Sequence, residues 1–130
     1  MYLQHLPTFL TYFGSASLSM LVFALIYIGI TPYNEFKEIR IKHNNAAAIA
    51  FSGALIGYAL PEASLLIHSV NLIDFFLWSG VAFCIQIFAF SISLLFQVQK
   101  RIVEQDISAG IMLASISIIA GILNAACLTY

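Results

Sequence analysis

An all-α integral membrane protein of four transmembrane helices, built as two tandem two-helix repeats in parallel orientation, is the fold this sequence predicts, and three observations predict it. Of its 130 residues 62% are hydrophobic and 8% charged, against about 45–50% and about 25% in soluble domains. The apolar residues gather into four runs, each long enough to cross a hydrocarbon core of about 30 Å as a helix. All five Lys and Arg residues fall in two of the intervening loops. With a mean hydropathy of +0.97, so short a chain cannot bury its apolar surface in its own core, and lipid must act as part of the solvent.

Residues 9–30 carry no charge and form the first span. Only His5 and the amino terminus precede it as possible cations, so a basic signal leader is lacking and the run is expected to persist as an anchor. It closes at Thr31-Pro32, where proline lacks an amide hydrogen and restricts its predecessor. Loop 31–44 then carries Lys37, Arg40 and Lys42 with Glu35, Glu38 and His43. The second span covers 45–67 and is interrupted near its far end by Pro61 and Glu62. A link through His68 and Asn71, free of Lys and Arg, leads past Asp74 into the third span, 75–96, with Trp78 near its start as an interfacial ring. Loop 97–106 carries Lys100 and Arg101, and the fourth span, 107–128, leaves Tyr130 at the far interface. The whole chain, 1–130, is one membrane domain. The cation bias predicts that both loops, 31–44 and 97–106, are cytoplasmic and that both termini lie on the outer side of the membrane. Glu35, Glu38, Glu104 and Asp106 stand beside those cations and are expected to form surface pairs.

Displaced by 62 positions, Asn44 falls on Asp106, Ala47 on Ala109, Ala48 on Gly110 and Ile49 on Ile111. Each half, 9–67 and 75–128, reads as span, basic loop, polar cap and a helix rich in small residues. Asn44 and Asp106 are suited to cap those helices, because their side-chain oxygens accept from first-turn N–H groups. Two spans per unit keep both halves in the same orientation about an axis along the membrane normal. Ala46, Ala50, Gly53, Ala54 and Gly57 recur at helical spacing on the second span, and Gly110, Ala114, Ser117, Gly121 and Ala125 on the fourth. Such faces let helix backbones approach closely in lipid, which puts these two helices at the centre of the bundle and makes them candidates for assembly. The plainer account is that Gly is frequent in membrane helices.

Few groups could do chemistry. Gln86, mid-span, should face protein, either in an interhelical hydrogen bond or along a permeation path, and Asn124 is open to the same two readings. Glu62 and Asp74 are the acids of the outer side, with His68 between them; they could bind a cation, or be solvated interfacial residues. The serines of spans one and three read as packing or back-bonding hydroxyls. Cys84 and Cys127 lie in apolar runs and read as small buried hydrophobes, with no spacing for a metal site. No nucleophile, base and orienter can be assembled, which points away from an enzyme, and no cofactor is implied. A net charge of −1 gives no electrostatic case for nucleic acid.

The run Ile30-Thr31-Pro32-Tyr33-Asn34-Glu35, the block Asn44 to Pro61, the span around Gln86, and the ending from Ala109-Gly110 to Gly121-Ile122-Leu123-Asn124-Ala125-Ala126-Cys127-Leu128-Thr129 resemble the YjfL-like bacterial inner-membrane family of unknown function. The resemblance covers nearly the whole chain and implies a four-helix inner-membrane protein of two similar halves. Where that family commonly opens its second repeat with Asp-Asn, Asp106 is here followed by Ile107. It supplies no catalytic or ligand-binding residue. The expected role is a non-enzymatic component of an envelope complex that oligomerises with itself or docks another membrane protein. The alternative is a small transporter or channel for an ion or small solute.

Overall fold

The computed structural model describes residues 4–31, 34, 37–95 and 98–128. Its helices are α1 (Leu6–Ile30), α2 (Asn45–His68), α3 (Leu72–Leu95), the short α4 (Val98–Val103) and α5 (Ile107–Cys127), with a π-helical turn at Lys37–Ile41. No strand occurs among the described residues. Four helices, α1, α2, α3 and α5, are long and apolar enough to cross a membrane. At 21 to 25 residues each measures about 31–38 Å. Pro32 and Glu35, the end of the expected third span at Phe96, and Tyr130 lie outside the described residues.

Two helices begin three residues earlier than the hydropathy suggests, for local reasons. Pro7 occupies the first turn of α1, where a missing N–H costs nothing. Asn71 accepts from the Asp74 amide at 2.8 Å, while the Asp74 carboxylate reaches back to the Val70 amide at 3.2 Å. This reciprocal cap starts α3 at Leu72 and places Asp74 in its first turn. Pro61 does not end α2, which continues to His68. Both basic loops also hold more structure than expected, one forming the π turn and the other α4.

The centre of the bundle is the α2–α5 pair, the most extensively packed in the molecule. Ala46 meets Gly110, Gly53 meets Ala114, Gly57 meets Ser117 and Gly121, and the Ser64 hydroxyl donates to the Ala125 carbonyl at 3.0 Å. These contacts advance together along both helices, which therefore run side by side in one direction. A Cβ on Gly53 would stand 2.5 Å from the Ala114 Cα, and one on Gly110 would stand 2.8 Å from the Ala46 Cα. Pro61 has no N–H to offer the Gly57 carbonyl, and that oxygen lies where a Cβ on Gly121 would be. The backbones therefore meet at a weak Cα–H···O type of contact that only glycine permits. Of the ten small residues singled out in the sequence, Ala46, Gly53, Gly57, Gly110, Ala114, Ser117, Gly121 and the half-buried Ala125 meet across this pair, and Ala50 and Ala54 are buried.

Around this pair α3 packs closely, whereas α1 buries only Phe23 and Tyr27. Phe23 stacks on Tyr58 at 4.5 Å and meets Phe83 edge-on at 5.7 Å; Tyr27 lies against Phe51 and Phe90 at 5.6 and 5.1 Å. Each such pair adds about 0.5–1.5 kcal/mol to the burial of the rings. Cys84 and Cys127, expected inside, are exposed. Where the outer surface meets lipid, a small apolar thiol loses nothing by facing outward.

Candidate functional site

The stripe that packs α2 against its neighbours repeats every four residues, Ala46, Ala50, Ala54, and its next two members are Tyr58 and Glu62. Helix phase alone therefore carries Glu62 inward. The residue is 2% exposed, six residues before the end of α2, or about 9 Å along the axis. The expectation of a solvated interfacial acid is thus corrected for Glu62. The Tyr58 and Ser79 hydroxyls lie beside its carboxyl group, yet neither carboxyl oxygen receives a hydrogen bond of acceptable geometry.

On α3 the inward positions are Phe75, Ser79, Ala82, Gln86, Ala89, Phe90 and Ser93. Three of them are polar and stand seven residues apart, so Ser79, Gln86 and Ser93 form one line of about 21 Å along the helix. The facing groups come from α2 and α5. Tyr58 donates to the Ser79 carbonyl at 3.4 Å, Asn124 donates to the Ala82 carbonyl at 3.2 Å, and Gln86 donates to the Ser117 carbonyl at 3.3 Å. The Gln86 Nε2 atom sits 2.8 Å from the position of a Cβ on Gly57, so this glycine makes room for the amide as well as for α5. At the lower end Gln99 of α4 donates to the Ser93 hydroxyl at 2.9 Å.

Along this seam several buried polar atoms have no hydrogen-bond partner: both Glu62 oxygens, Ser79 Oγ, Gln86 Oε1 and Gln99 Oε1. Such atoms are rare in folded proteins and costly in hydrocarbon, where a water or ion is the usual means of satisfying them. Asp74 is not part of the seam, because its carboxylate is engaged in capping α3. Sequence reasoning singled out Gln86, Asn124, Glu62, Gly57 and Ser117, all of which the fold brings to the seam. It read the serines of span three as packing or back-bonding hydroxyls, which holds for Ser93, whose hydroxyl donates to the Phe90 carbonyl, and it did not single out Tyr58 or Gln99. The signals available were the seven-residue spacing on α3 and the extension of the alanine stripe on α2.

At the basic end the two caps behave differently. Asn44 accepts from the Ala47 amide at 3.2 Å, and its own amide donates to the Ile102 carbonyl at 2.7 Å and to Glu38 at 3.0 Å. Glu38 also takes Lys42 at 3.3 Å and is buried, so it buttresses the cap where a surface pair was expected. The Asn44 hydrogen bond, aided by Lys42 and Lys37, holds its carboxyl below the ordinary range. Asp106 accepts from the Ser108 amide at 3.0 Å and pairs with Arg101 at 2.8 Å on the surface, and that pairing lowers its pKa. Among the described residues no three His, Cys, Asp or Glu side chains gather as a metal site would require.

The chain matches DUF350, a Domain of Unknown Function, over residues 1–128. It is 36% identical to the UPF0719 inner membrane protein YjfL of Escherichia coli K12, over an alignment of 130 positions that covers 98% of each chain. The YjfL protein of Escherichia coli O157:H7 is similar to the same degree. No solved structure matches it.

Proposed function

Because the chain belongs to the DUF350 family, whose YjfL relatives are inner membrane proteins, we infer that it is a non-enzymatic membrane protein whose buried seam passes an ion or small solute between two tandem halves. The observation that carries this reading is the set of unpartnered buried polar atoms on Glu62, Ser79, Gln86 and Gln99. Groups that merely fasten helices would be expected to satisfy one another. A path for water or an ion leaves acceptors open to what passes. The test is flux of protons, sodium and potassium in proteoliposomes, each followed by an ion-sensitive dye. Wild type is expected to conduct one of them, with Glu62→Gln and Gln86→Ala slower by about tenfold or more, a barrier increase of about 1.4 kcal/mol. Equal rates in all three proteins would remove the seam from the path.

The tandem reading draws on more than the pairing of sequence blocks. The two caps share nearly one backbone conformation, φ −77° and ψ 103° at Asn44 and φ −77° and ψ 101° at Asp106. Each follows a residue with positive φ, His43 at 53° and Gln105 at 64°. Displacement by 62 positions also carries Glu62 onto Asn124, and both are buried polar residues in the last thirds of α2 and α5. The Asn44–Ile102 hydrogen bond draws both basic loops to one end of the bundle. The charge rule then assigns that end to the cytoplasm and both termini to the periplasm.

A second reading, a component that oligomerises or docks another membrane protein of an envelope complex, is favoured by a different observation. The small faces of α2 and α5 are consumed inside the chain, but Gly14 and Gly29 of α1 and Gly80 of α3 have no atom within 4 Å of an added Cβ. Such positions let a second helix approach closely. Gly14→Leu is expected to abolish assembly detected by crosslinking and native mass measurement, and an unchanged mass would end this reading.

A further inference from the structure

Between α1 and α3 a cleft of about 380 Å³ opens sideways, within the span region. Its walls are apolar and aromatic, with Val22 on α1 and Phe76, Gly80 and Phe83 on α3, and its polar side chains include Tyr58 and Ser79. These are the two hydroxyl-bearing side chains that flank the Glu62 carboxyl group. Behind an apolar cleft facing lipid there is thus a buried acid whose oxygens have no hydrogen-bond partner. On this basis we propose that the cleft is a binding site for an apolar, monovalent organic cation that enters from the hydrocarbon and takes Glu62 as its counter-charge.

Three features select that ligand class. All Lys and Arg residues lie in the two loops, so an anion would meet no opposite charge in the spans. A small inorganic cation would have to shed its water among walls that offer little beyond the hydroxyls of Ser19, Tyr58 and Ser79, whereas an organic cation with dispersed charge is already weakly hydrated. The cleft is also lined by the aromatic rings of Phe76, Phe83 and Tyr58, and aromatic rings attract such a cation. Among the described residues the other titratable groups toward this end of the bundle are His5 at the start of α1 and Tyr12 on α1, edge-on to Phe75, Asp74 in the first turn of α3, His68 at the end of α2 and Cys127 at the end of α5, which also contributes the neutral Asn124. An unpaired buried carboxylate is costly, so the proposal has Glu62 carry a proton until a cation arrives. Binding exchanges one proton for one cation: the Glu62 O–H bond breaks, the proton leaves to buffer, and the carboxylate stays to balance the ligand.

The proposal rests on Glu62 belonging to a working seam and adds the ligand and its lateral entry. It is tested by titrating the purified protein in lipid nanodiscs with tetraphenylphosphonium, by calorimetry in two buffers of different ionisation enthalpy. The expected result is saturable binding with release of about one proton per cation, weakened about tenfold or more by Glu62→Gln. Gly80→Leu supplies a second variant, because nothing lies within 4 Å of an added Cβ there and the longer side chain would fill the cleft without disturbing a neighbour. It should lose binding while retaining the wild-type melting temperature. Tetraphenylborate, of the same shape and opposite charge, should not saturate the site. Binding without proton release, equal binding of the borate, or wild-type affinity in Glu62→Gln would overturn the proposal. Ion flux without tetraphenylphosphonium binding would defeat the ligand assignment alone. Proton-coupled binding without flux of any ion would defeat the transport reading and leave the site standing.

Discussion

At the scale of single residues, Asn44 links three parts of the chain through one amide. It caps α2, holds the Ile102 carbonyl of α4, and fixes the buried Glu38. Asn44→Ala would remove the cap and strand a carboxylate and a carbonyl, so a loss of about 2–4 kcal/mol is expected in chemical unfolding. Asp106→Ala loses a cap and an exposed ion pair and should cost less. Glu38 makes a pH prediction whose sign follows from its lowered pKa. Its stabilisation is fully present above the ordinary carboxylate value of 4.5 and is lost as pH falls through the lower folded value. Melting temperature measured from neutral pH down to about pH 3 should therefore fall more in wild type than in Glu38→Gln. Equal slopes would show that Glu38 is as solvated as its place in a basic loop suggests.

At the scale of elements, the glycines divide into two kinds that hydropathy cannot separate. Gly53, Gly57, Gly110 and Gly121 each stand where a Cβ would strike the facing helix, while Gly14 and Gly80 face open space. Gly121→Leu should force α2 and α5 apart and cost at least the roughly 1–3 kcal/mol of an overpacked core, read as a lower melting temperature. Gly14→Leu should leave the melting temperature unchanged. The four spans were legible from apolar run length, and both caps from polar residues ahead of small-residue runs. The start of α3 was not, because it depends on the reciprocal bonds of Asn71 and Asp74. Nor was the inward course of Glu62, although it continues the alanine stripe, because a charged side chain beside Pro61 marks a helix end when read by hydropathy alone. The outward cysteines show the same limit: in lipid, apolar character does not distinguish inside from outside.

At the scale of the whole molecule, the basic loops meet at one end and the seam runs from there toward the other, through Gln99, Ser93, Gln86 and Ser79 to Glu62. Orientation can be checked with a thiol reagent that does not cross membranes, in a background carrying Cys84→Ser and Cys127→Ser. Val70→Cys, at an exposed position of the α2–α3 link, should be labelled from the periplasm, and Lys42→Cys only after the inner membrane is opened; the reverse pattern would invert the assignment. The central claim, that the seam is a path rather than a set of helix fasteners, is tested most directly by an experimental structure in lipid at a resolution that shows bound water and ions. Non-protein density within hydrogen-bonding distance of Glu62, Ser79 and Gln86 is the expected result. A dry seam in which those side chains satisfy one another would contradict it.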